Sequence, residues 1–334
     1  MRAHSRAETT PWEPSRGERF GPYEVHEELG GGGLSVVHRA IDTRLTGPHE
    51  LALKRLRDGL SGRWELVDAF LYEAQLASQL RHPHVARVYA YGKLDGQFYA
   101  AVELVRGATL AQIVRQSRAA AGAIPVGIVV ELMLQLCDAL DHLHTSEPAI
   151  VHRGVAPANL MVGRDGRLKL IDFGIASTAA RRQIGRGATK DALAYVAPEA
   201  VFGKVDARGD LFAAGVIAHE LLSSRPLFHG ASEAATVHNV CTRIVPPPSR
   251  FAPSVSRELD DIVLTALQRD PGARWQSAAA MRFALGEIAR ELGGRTQLAA
   301  QVAEWLEWAF ARRPRRDRTR IVKMIDAIEQ AYDD

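Results

Sequence analysis

Cysteines and long apolar runs are scarce in this chain of 334 residues, and each shortage excludes a class of protein. The two cysteines, Cys137 and Cys241, lie too far apart in the sequence for a metal-binding motif. Thiols without such spacing favour a reduced protein, so we expect a cytoplasmic location. The most apolar stretch, residues 124–140, is broken by a glutamate, a glutamine and an aspartate. It therefore predicts a buried helix and not a membrane span.

Lysine is also scarce and the net charge is low, and neither indicates a particular partner. Only six of the 42 basic residues are lysines, an arginine bias that is typical of a GC-rich bacterial genome. The net charge of +3 is too small to predict an acidic partner. Residues 1–19 are polar and lack the apolar core of a signal peptide, so we expect a mobile tail there. Hydrophobic residues make up 46% of the chain, which is enough for a large core.

The predicted elements divide the chain into a strand-rich part and a helix-rich part. Alternating apolar residues predict mainly strands over residues 20–105, interrupted by one helix at about residues 64–80. From Thr109 onwards the apolar spacing predicts mostly helices. A run of strands followed by a run of helices favours an α+β fold with a small β-rich lobe and a larger α-helical lobe.

Four successive glycines follow the first predicted strands. Residues 30–37 fit the pattern G-x-G-x-x-G-x-V, with Gly30 and Gly32 at the first two glycines and Ser35 at the third. Glycine lets backbone N–H groups approach a phosphate without a side-chain clash. Taken alone, such a segment is more often a flexible hairpin. A dinucleotide-binding fingerprint is disfavoured, because Val37 continues a strand, whereas that motif opens a helix.

Charged residues recur downstream in short motifs. Lys54 ends the apolar segment 51–53, and Glu73 follows nineteen residues later within the predicted helix. The triplets Asp-Phe-Gly at residues 172–174 and Ala-Pro-Glu at residues 197–199 come next. Each charge taken separately would be interpreted as a solvated surface group. Their joint order and spacing favour a shared functional role.

Together with a loop at residues 152–159, these motifs resemble in kind and order those of the bacterial Ser/Thr protein kinase-like family over residues 20–292. The resemblance implies a two-lobed protein kinase-like fold. It also implies that Glu199 pairs with Arg274 and that Asp210 braces the loop. The implied boundaries are a disordered tail at residues 1–19, an N-lobe at 20–105, a C-lobe at 106–292 and a helical extension at 295–334.

The resemblance further implies a site for ATP and Mg²⁺. Lys54 would hold the α- and β-phosphates and pair with Glu73. Asn159 and Asp172 would bind the metal. These four residues come from four separate motifs, so a common site depends on the kinase fold.

An apolar adenine site is implied as well, although ordinary core packing would explain the same residues. Val37 and Ala52 would lie above the ring and Met161 below it. Val102 would be the gatekeeper that borders the adenine pocket. The full set of nucleotide-binding candidates is Gly30, Gly32, Gly33, Ser35, Val37, Ala52, Lys54, Glu73, Val102, Glu103, Val105 and Met161.

The segment His152–Asn159 departs from the family pattern H-R-D-x-K-P-x-N at the two residues that act on the transferred phosphate. Gly154 stands at the position of the aspartate base and Ala156 at that of the lysine. Ala192 replaces a threonine that would contact the same aspartate. Loss of a positioned base costs about 10²–10⁴-fold in rate, and loss of the lysine lowers the rate further. Ala158 stands where tyrosine kinases usually carry a compensating arginine.

These departures predict a pseudokinase that binds ATP and Mg²⁺ and regulates or scaffolds protein partners, among them an active kinase. Two alternatives stay open, an atypical active Ser/Thr kinase and a scaffold that ignores nucleotide. Asp191 offers a substitute carboxylate, but its loop position disfavours accurate alignment with a substrate. Arg153 either packs locally or binds a phosphate on the loop that contains Ser177, Thr178 and Thr189.

The extension at residues 295–334 predicts two further helices joined by an arginine-rich turn at residues 312–320. The first, over residues 296–311, carries an apolar face, and the second spans residues 321–332. The spacing favours a helical hairpin packed on the larger lobe, with a docking or homodimer face as the alternative. Acidic neighbours of the arginines disfavour nucleic acid, and we expect no membrane partner.

Overall fold

The computed structural model describes residues 17–47, 49–120, 123–173, 190–201 and 203–311. The chain forms two compact units. Of the described residues, unit 1 contains those up to residue 79 and residues 87–104. Unit 2 contains residues 80–86 and the described residues from 105 onwards.

Unit 1 is a six-stranded antiparallel sheet with one helix. The elements are β1 (Glu18–Phe20), β2 (Tyr23–Gly31), β3 (Ser35–Asp42), β4 (His49–Leu56), α1 (Trp64–Gln79), β5 (Val88–Leu94) and β6 (Gln97–Glu103). The strand order is β1-β2-β3-β4-β6-β5, so the chain crosses from β4 through α1 to the far edge before it returns.

The two faces of this sheet carry separate apolar clusters. Leu53 and Tyr99 belong to one cluster, whereas Leu56 packs with Phe70 of α1 on the other face. The buried residues of α1 recur at three- and four-residue spacing, as in an amphipathic helix. Glu73 lies among them and is buried. The same periodicity that packs α1 on the sheet therefore places a carboxylate in its buried face.

Unit 2 is mainly helical and contains a small antiparallel sheet in the order β7-β8-β9. The strands are β7 (Gly107–Thr109), β8 (Leu160–Gly163) and β9 (Leu168–Leu170). The helices are α2 (Leu110–Ala120), α3 (Val126–His144), α4 (Pro198–Val201), α5 (Ala207–Ser223), α6 (Glu233–Thr242), α7 (Arg257–Ala266), α8 (Ala278–Glu291) and α9 (Arg295–Ala311).

Helix α3 is the buried helix predicted over residues 124–140, and it contacts α5, α8, α9 and β9. Helix α5 is almost wholly buried as well. The side chain of Asp206 caps α5 by accepting a hydrogen bond from the Arg208 N–H, which places Asp210 in the first turn. In the part of the chain that the structure describes, no helix is both long and apolar enough to span a membrane.

Helix α9 is the first helix of the predicted extension, and it packs on α2 and α3. Leu298, Val302, Leu306 and Ala309 are buried, so the apolar face expected from the sequence lies inward. Arg295 donates to the carboxylates of Glu131 and Asp138 on α3. The arginine-rich turn and the second predicted helix lie outside the described residues.

Candidate nucleotide site and catalytic loop

Strand β4 and helix α1 bring together the predicted lysine and glutamate. The Lys54 Nζ lies 3.4 Å from Glu73 Oε1, and the two side chains are 14% and 8% exposed. Each buried charge is costly alone, and the partner of opposite sign lowers that cost. The pair therefore holds the lysine ammonium in a defined position on the sheet, as the kinase resemblance implies.

The register of three strands places four other candidates on the same face as Lys54, namely Ser35, Val37, Ala52 and Val102. Val37 lies opposite Lys54, and Ala52 lies opposite Val102. Residues two apart on a strand, and residues directly opposite across strands, share a face. Ser35 precedes Val37 by two residues and belongs to that face as well. A single sheet surface thus carries the lysine and the apolar residues predicted to lie above adenine.

The glycine-rich segment forms the turn between β2 and β3. The Gly32 N–H donates to the Ser35 carbonyl at 2.9 Å, which closes the turn around Gly33. Gly30 has φ +155°, a backbone conformation that favours glycine. The N–H of Glu103, at the end of β6, donates to the Arg87 carbonyl.

In unit 2, buried Asp210 braces the loop that contains Gly154. Its two carboxylate oxygens accept the backbone N–H groups of His152 at 2.8 Å and Arg153 at 2.9 Å. His144 Nε2 lies 2.9 Å from the same carboxylate, a contact that the sequence motifs did not predict. Arg153 has φ +63°, so the carboxylate stabilises a left-handed residue at the turn of the loop.

The residues around Gly154 are held in place although the base is missing. The Gly154 N–H donates to His152 Nδ1 at 3.2 Å, and the Asn159 amide donates to the Gly154 carbonyl at 2.8 Å. Burial lowers the pKa of His152, so this ring is neutral at pH 7. Ala156 is buried. The loop is thus held by several hydrogen bonds, and positions 154 and 156 carry no polar side chain.

The two predicted metal ligands lie in adjoining segments of unit 2. The Ile171 N–H donates to the Asn159 carbonyl, which ties the residue before Asp172 to Asn159. Asp172 has φ +47°, and Phe173 packs on the His152 ring with centroids 4.7 Å apart. Since the Asn159 amide nitrogen bonds to the loop, its oxygen is the atom that can meet a cation.

No group of three or more acidic, histidine or cysteine side chains among the described residues could hold a metal unaided. Mg²⁺ at a nucleotide site takes many ligands from phosphates and water, so one carboxylate and one amide fit its needs. Met161 lies half-buried on β8, opposite Thr109 and Lys169, and Val105 lies just before β7 and is half-buried.

The predicted Glu199–Arg274 pair is present and bidentate, with nitrogen–oxygen distances of 2.7 and 2.6 Å. Ala192 lies half-buried in a 3₁₀ turn that spans Lys190–Tyr195. The side chain of Asp191, and Gly174, Ser177, Thr178 and Thr189, lie outside what the structure describes. The Asp191 and loop-phosphorylation hypotheses therefore stay predictions.

The family profile described as "Protein kinase domain" matches residues 23–284. This chain belongs to the protein kinase family. Unit 1 is the β-sheet N-lobe and unit 2 is the helical C-lobe of that fold, which confirms the predicted fold class.

Its relatives are bacterial Ser/Thr kinases. The chain is 37% identical over 270 residues to the serine/threonine-protein kinase PknB of Mycolicibacterium smegmatis, covering 78% of this chain and 42% of that protein. It is 37% identical over 272 residues to the probable serine/threonine-protein kinase SCO3848 of Streptomyces coelicolor, covering 78% and 39%. The chain thus spans about two fifths of the length of these curated relatives.

A solved kinase domain has the same fold. The PknI kinase domain of Mycobacterium tuberculosis superposes with a TM-score of 0.63 at 27% identity, covering 83% of this chain and 99% of that one. The predicted family, a bacterial Ser/Thr protein kinase-like one, is confirmed by these matches. They leave open whether this member transfers phosphate.

Proposed function

We propose that this protein kinase-like chain is a pseudokinase, which binds ATP with Mg²⁺ and has little or no phosphoryl-transfer activity. The observation that carries the proposal is Gly154, a residue without a side chain at the position of the base, inside a loop whose hydrogen bonds are otherwise intact. An intact loop argues against general decay of the fold. The loss is confined to the atoms that act on the transferred group.

Several features support retained nucleotide binding. Lys54 remains paired with Glu73, and the sheet face around it is apolar, as adenine requires. The Asn159 oxygen and the Asp172 carboxylate fit a hard cation such as Mg²⁺. When bound, the metal would neutralise phosphate charge beside Asn159 and Asp172, and Lys54 would offer a cation to the phosphates.

The missing groups account for the loss of transfer. In an active kinase the aspartate accepts the proton of the substrate hydroxyl and orients it. Loss of such a base costs about 10²–10⁴-fold, and kinases turn over at roughly 1–100 per second. Ala156 removes in addition a cation that would stabilise the moving phosphoryl group. Transfer that remains would be too slow for an efficient kinase.

An active Ser/Thr kinase is the second candidate, and the names of the relatives favour it. The paired Lys54 and the braced loop are equally compatible with activity. The two candidates differ in how strongly the rate of phosphoryl transfer depends on the residue at position 154. The combined change Gly154→Asp and Ala156→Lys, argued in the Discussion, decides between them.

Thermal unfolding with ATP tests nucleotide binding in the full chain. Ligand at about 100 times its dissociation constant stabilises a fold by about 2.7 kcal/mol, which raises the unfolding temperature by several degrees. We expect this shift with ATP and Mg²⁺, and we expect it to be lost in Lys54→Ala and in Asp172→Ala. Lys93→Ala, which removes a lysine from β5 of the same sheet, is the control. No shift at millimolar ATP would favour a scaffold that ignores nucleotide.

We propose that the nucleotide-bound form binds a protein partner. A ligand that binds one arrangement of a protein better than another shifts the population toward it, and a protein partner such as an active kinase then binds that form. We also propose that the extension contributes a docking or homodimer face. Sedimentation with and without ATP, on the full chain and on a chain ending at residue 311, tests this: the same number of subunits in both would contradict a dimer through residues 312–334.

A further inference from the structure

The tip of the glycine-rich turn is attached to the rest of unit 1 at two points. The Arg57 side chain donates from Nε to the Gly32 carbonyl at 2.7 Å, and its backbone N–H donates to the Leu34 carbonyl at 2.8 Å. The Leu34 side chain is buried in a cluster with Leu66 and Ala69 of α1. Leu34 stands at a variable position of the glycine motif and Arg57 lies outside it, so the motif alone does not predict this attachment.

Gly31 lies where the backbone of the turn and the Arg57 side chain leave little room for a Cβ. Gly31 occupies a variable position of G-x-G-x-x-G-x-V. A Cβ at residue 31 would lie 3.1 Å from Arg57 Nη2 and 2.9 Å from the Ser35 carbonyl oxygen. Both distances are shorter than ordinary contacts. Gly31 is therefore required first by the close approach of the turn's own backbone, and the guanidinium lies against the same position.

The attachment also determines which backbone donors remain for a ligand. The Gly32 N–H is used inside the turn, where it donates to Ser35. Within the residues that the structure describes, no acceptor is found for the N–H groups of Gly33 and Leu34, which lie between the two strands. Successive backbone N–H groups in a turn form an anion-binding site. This pair is what the turn offers to a phosphate.

We propose that Arg57 is a positioning residue, which fixes the glycine-rich turn so that the Gly33 and Leu34 N–H groups are ready for the phosphates of ATP. The proposal rests on the nucleotide-binding function proposed above. Arginine suits the task because its planar group offers Nε and Nη donors in a fixed fork, which a lysine ammonium does not. The Leu34 contact with α1 extends the effect, because α1 also carries Glu73, the partner of Lys54.

Calorimetric titration of the full chain with Mg²⁺-ATP and with adenosine tests this role. Arg57→Ala is expected to weaken ATP binding about tenfold, the effect of losing one charge-assisted hydrogen bond, and to leave adenosine binding unchanged. Arg57→Lys is expected to weaken ATP binding to a similar extent. Arg57 is exposed, so either change should lower the unfolding temperature only slightly.

Arg63→Ala is the matched control, since it removes the charge of another exposed arginine six residues later. It is expected to bind both ligands like the wild type. Normal ATP affinity in Arg57→Lys would overturn the proposal, because charge alone would then suffice. Equal losses for ATP and adenosine in Arg57→Ala would overturn it as well, since the effect would not be specific to phosphate.

Hydrogen exchange measured without nucleotide tests the positioning role of Arg57 independently of the proposed ATP binding. If the turn is fixed by Arg57, the Gly32 amide and the amide of residue 57 should exchange several-fold faster in Arg57→Ala. Unchanged exchange would contradict the positioning role even if ATP binds. Faster exchange in a chain that binds no ATP would support the attachment of the turn and reject the nucleotide function.

Discussion

Phosphoryl transfer is expected to rise at least about 100-fold when Gly154→Asp and Ala156→Lys are combined in one chain. The backbone can accept both side chains. Gly154 is not among the residues with positive φ, and Ala156 is extended with φ −154° and ψ 155°. Asp210 and Asn159 bond to the backbone of this loop, so they would hold the new residues as they hold the present ones. Transfer of labelled γ-phosphate to a serine-containing peptide measures the gain.

The control for the base is Gly154→Asn with Ala156→Lys, in which the new side chain has the shape of aspartate but accepts no proton at neutral pH. It is expected to stay well below the restored chain, because it regains only the contribution of the lysine and not that of the base. If the restored chain is active and the wild type transfers phosphate at the same rate, the wild type is an active kinase. Asp191→Ala would then show whether Asp191 supplies the carboxylate. A restored chain that binds ATP and stays inactive would place the defect elsewhere, with Ala192 as the next residue to change.

The contacts that the sequence predicted are those between two residues of recognised motifs. Lys54 with Glu73, and Glu199 with Arg274, each belong to a family pattern, so order and spacing were enough to pair them. The contact of Arg57 with Gly32 could not be found in this way. An exposed arginine that donates to a backbone carbonyl leaves no periodicity in the sequence from which the contact could be predicted.

For function, too, some features can be predicted from the sequence motifs and others are seen only in the structure. The departures at positions 154 and 156 are visible in the sequence, whereas the integrity of the surrounding loop is a property of the structure. The integrity of the loop matters because, in an unsupported loop, the absence of the aspartate would be only one of several changes that affect phosphoryl transfer. With Asp210 accepting two backbone N–H groups, the loop is still braced. The proposed loss of phosphoryl transfer therefore depends mainly on the side chains at positions 154 and 156.

Arg274→Ala is expected to lower the free energy of unfolding by about 3–5 kcal/mol, the usual effect of removing one partner of a buried ion pair. The Arg274 side chain is fully buried and Glu199 is 13% exposed, so the remaining carboxylate would lose its counterion in a poorly solvated place. Arg274 also donates to the carbonyls of Gln268, Arg269 and Arg208 and stacks over Phe212. Urea unfolding of the full chain measures the change.

Arg208→Ala is the matched control for that experiment. Arg208 also pairs with a carboxylate, that of Asp206, but its side chain is 31% exposed and that of Asp206 is 49% exposed. Exposed pairs contribute about 0–1 kcal/mol, so the loss should be several times smaller than for Arg274→Ala. Adding Glu199→Ala to Arg274→Ala should recover part of the lost stability, because the uncompensated carboxylate is then gone. Equal losses for the two arginines would mean that burial of the Glu199 pair does not determine its contribution.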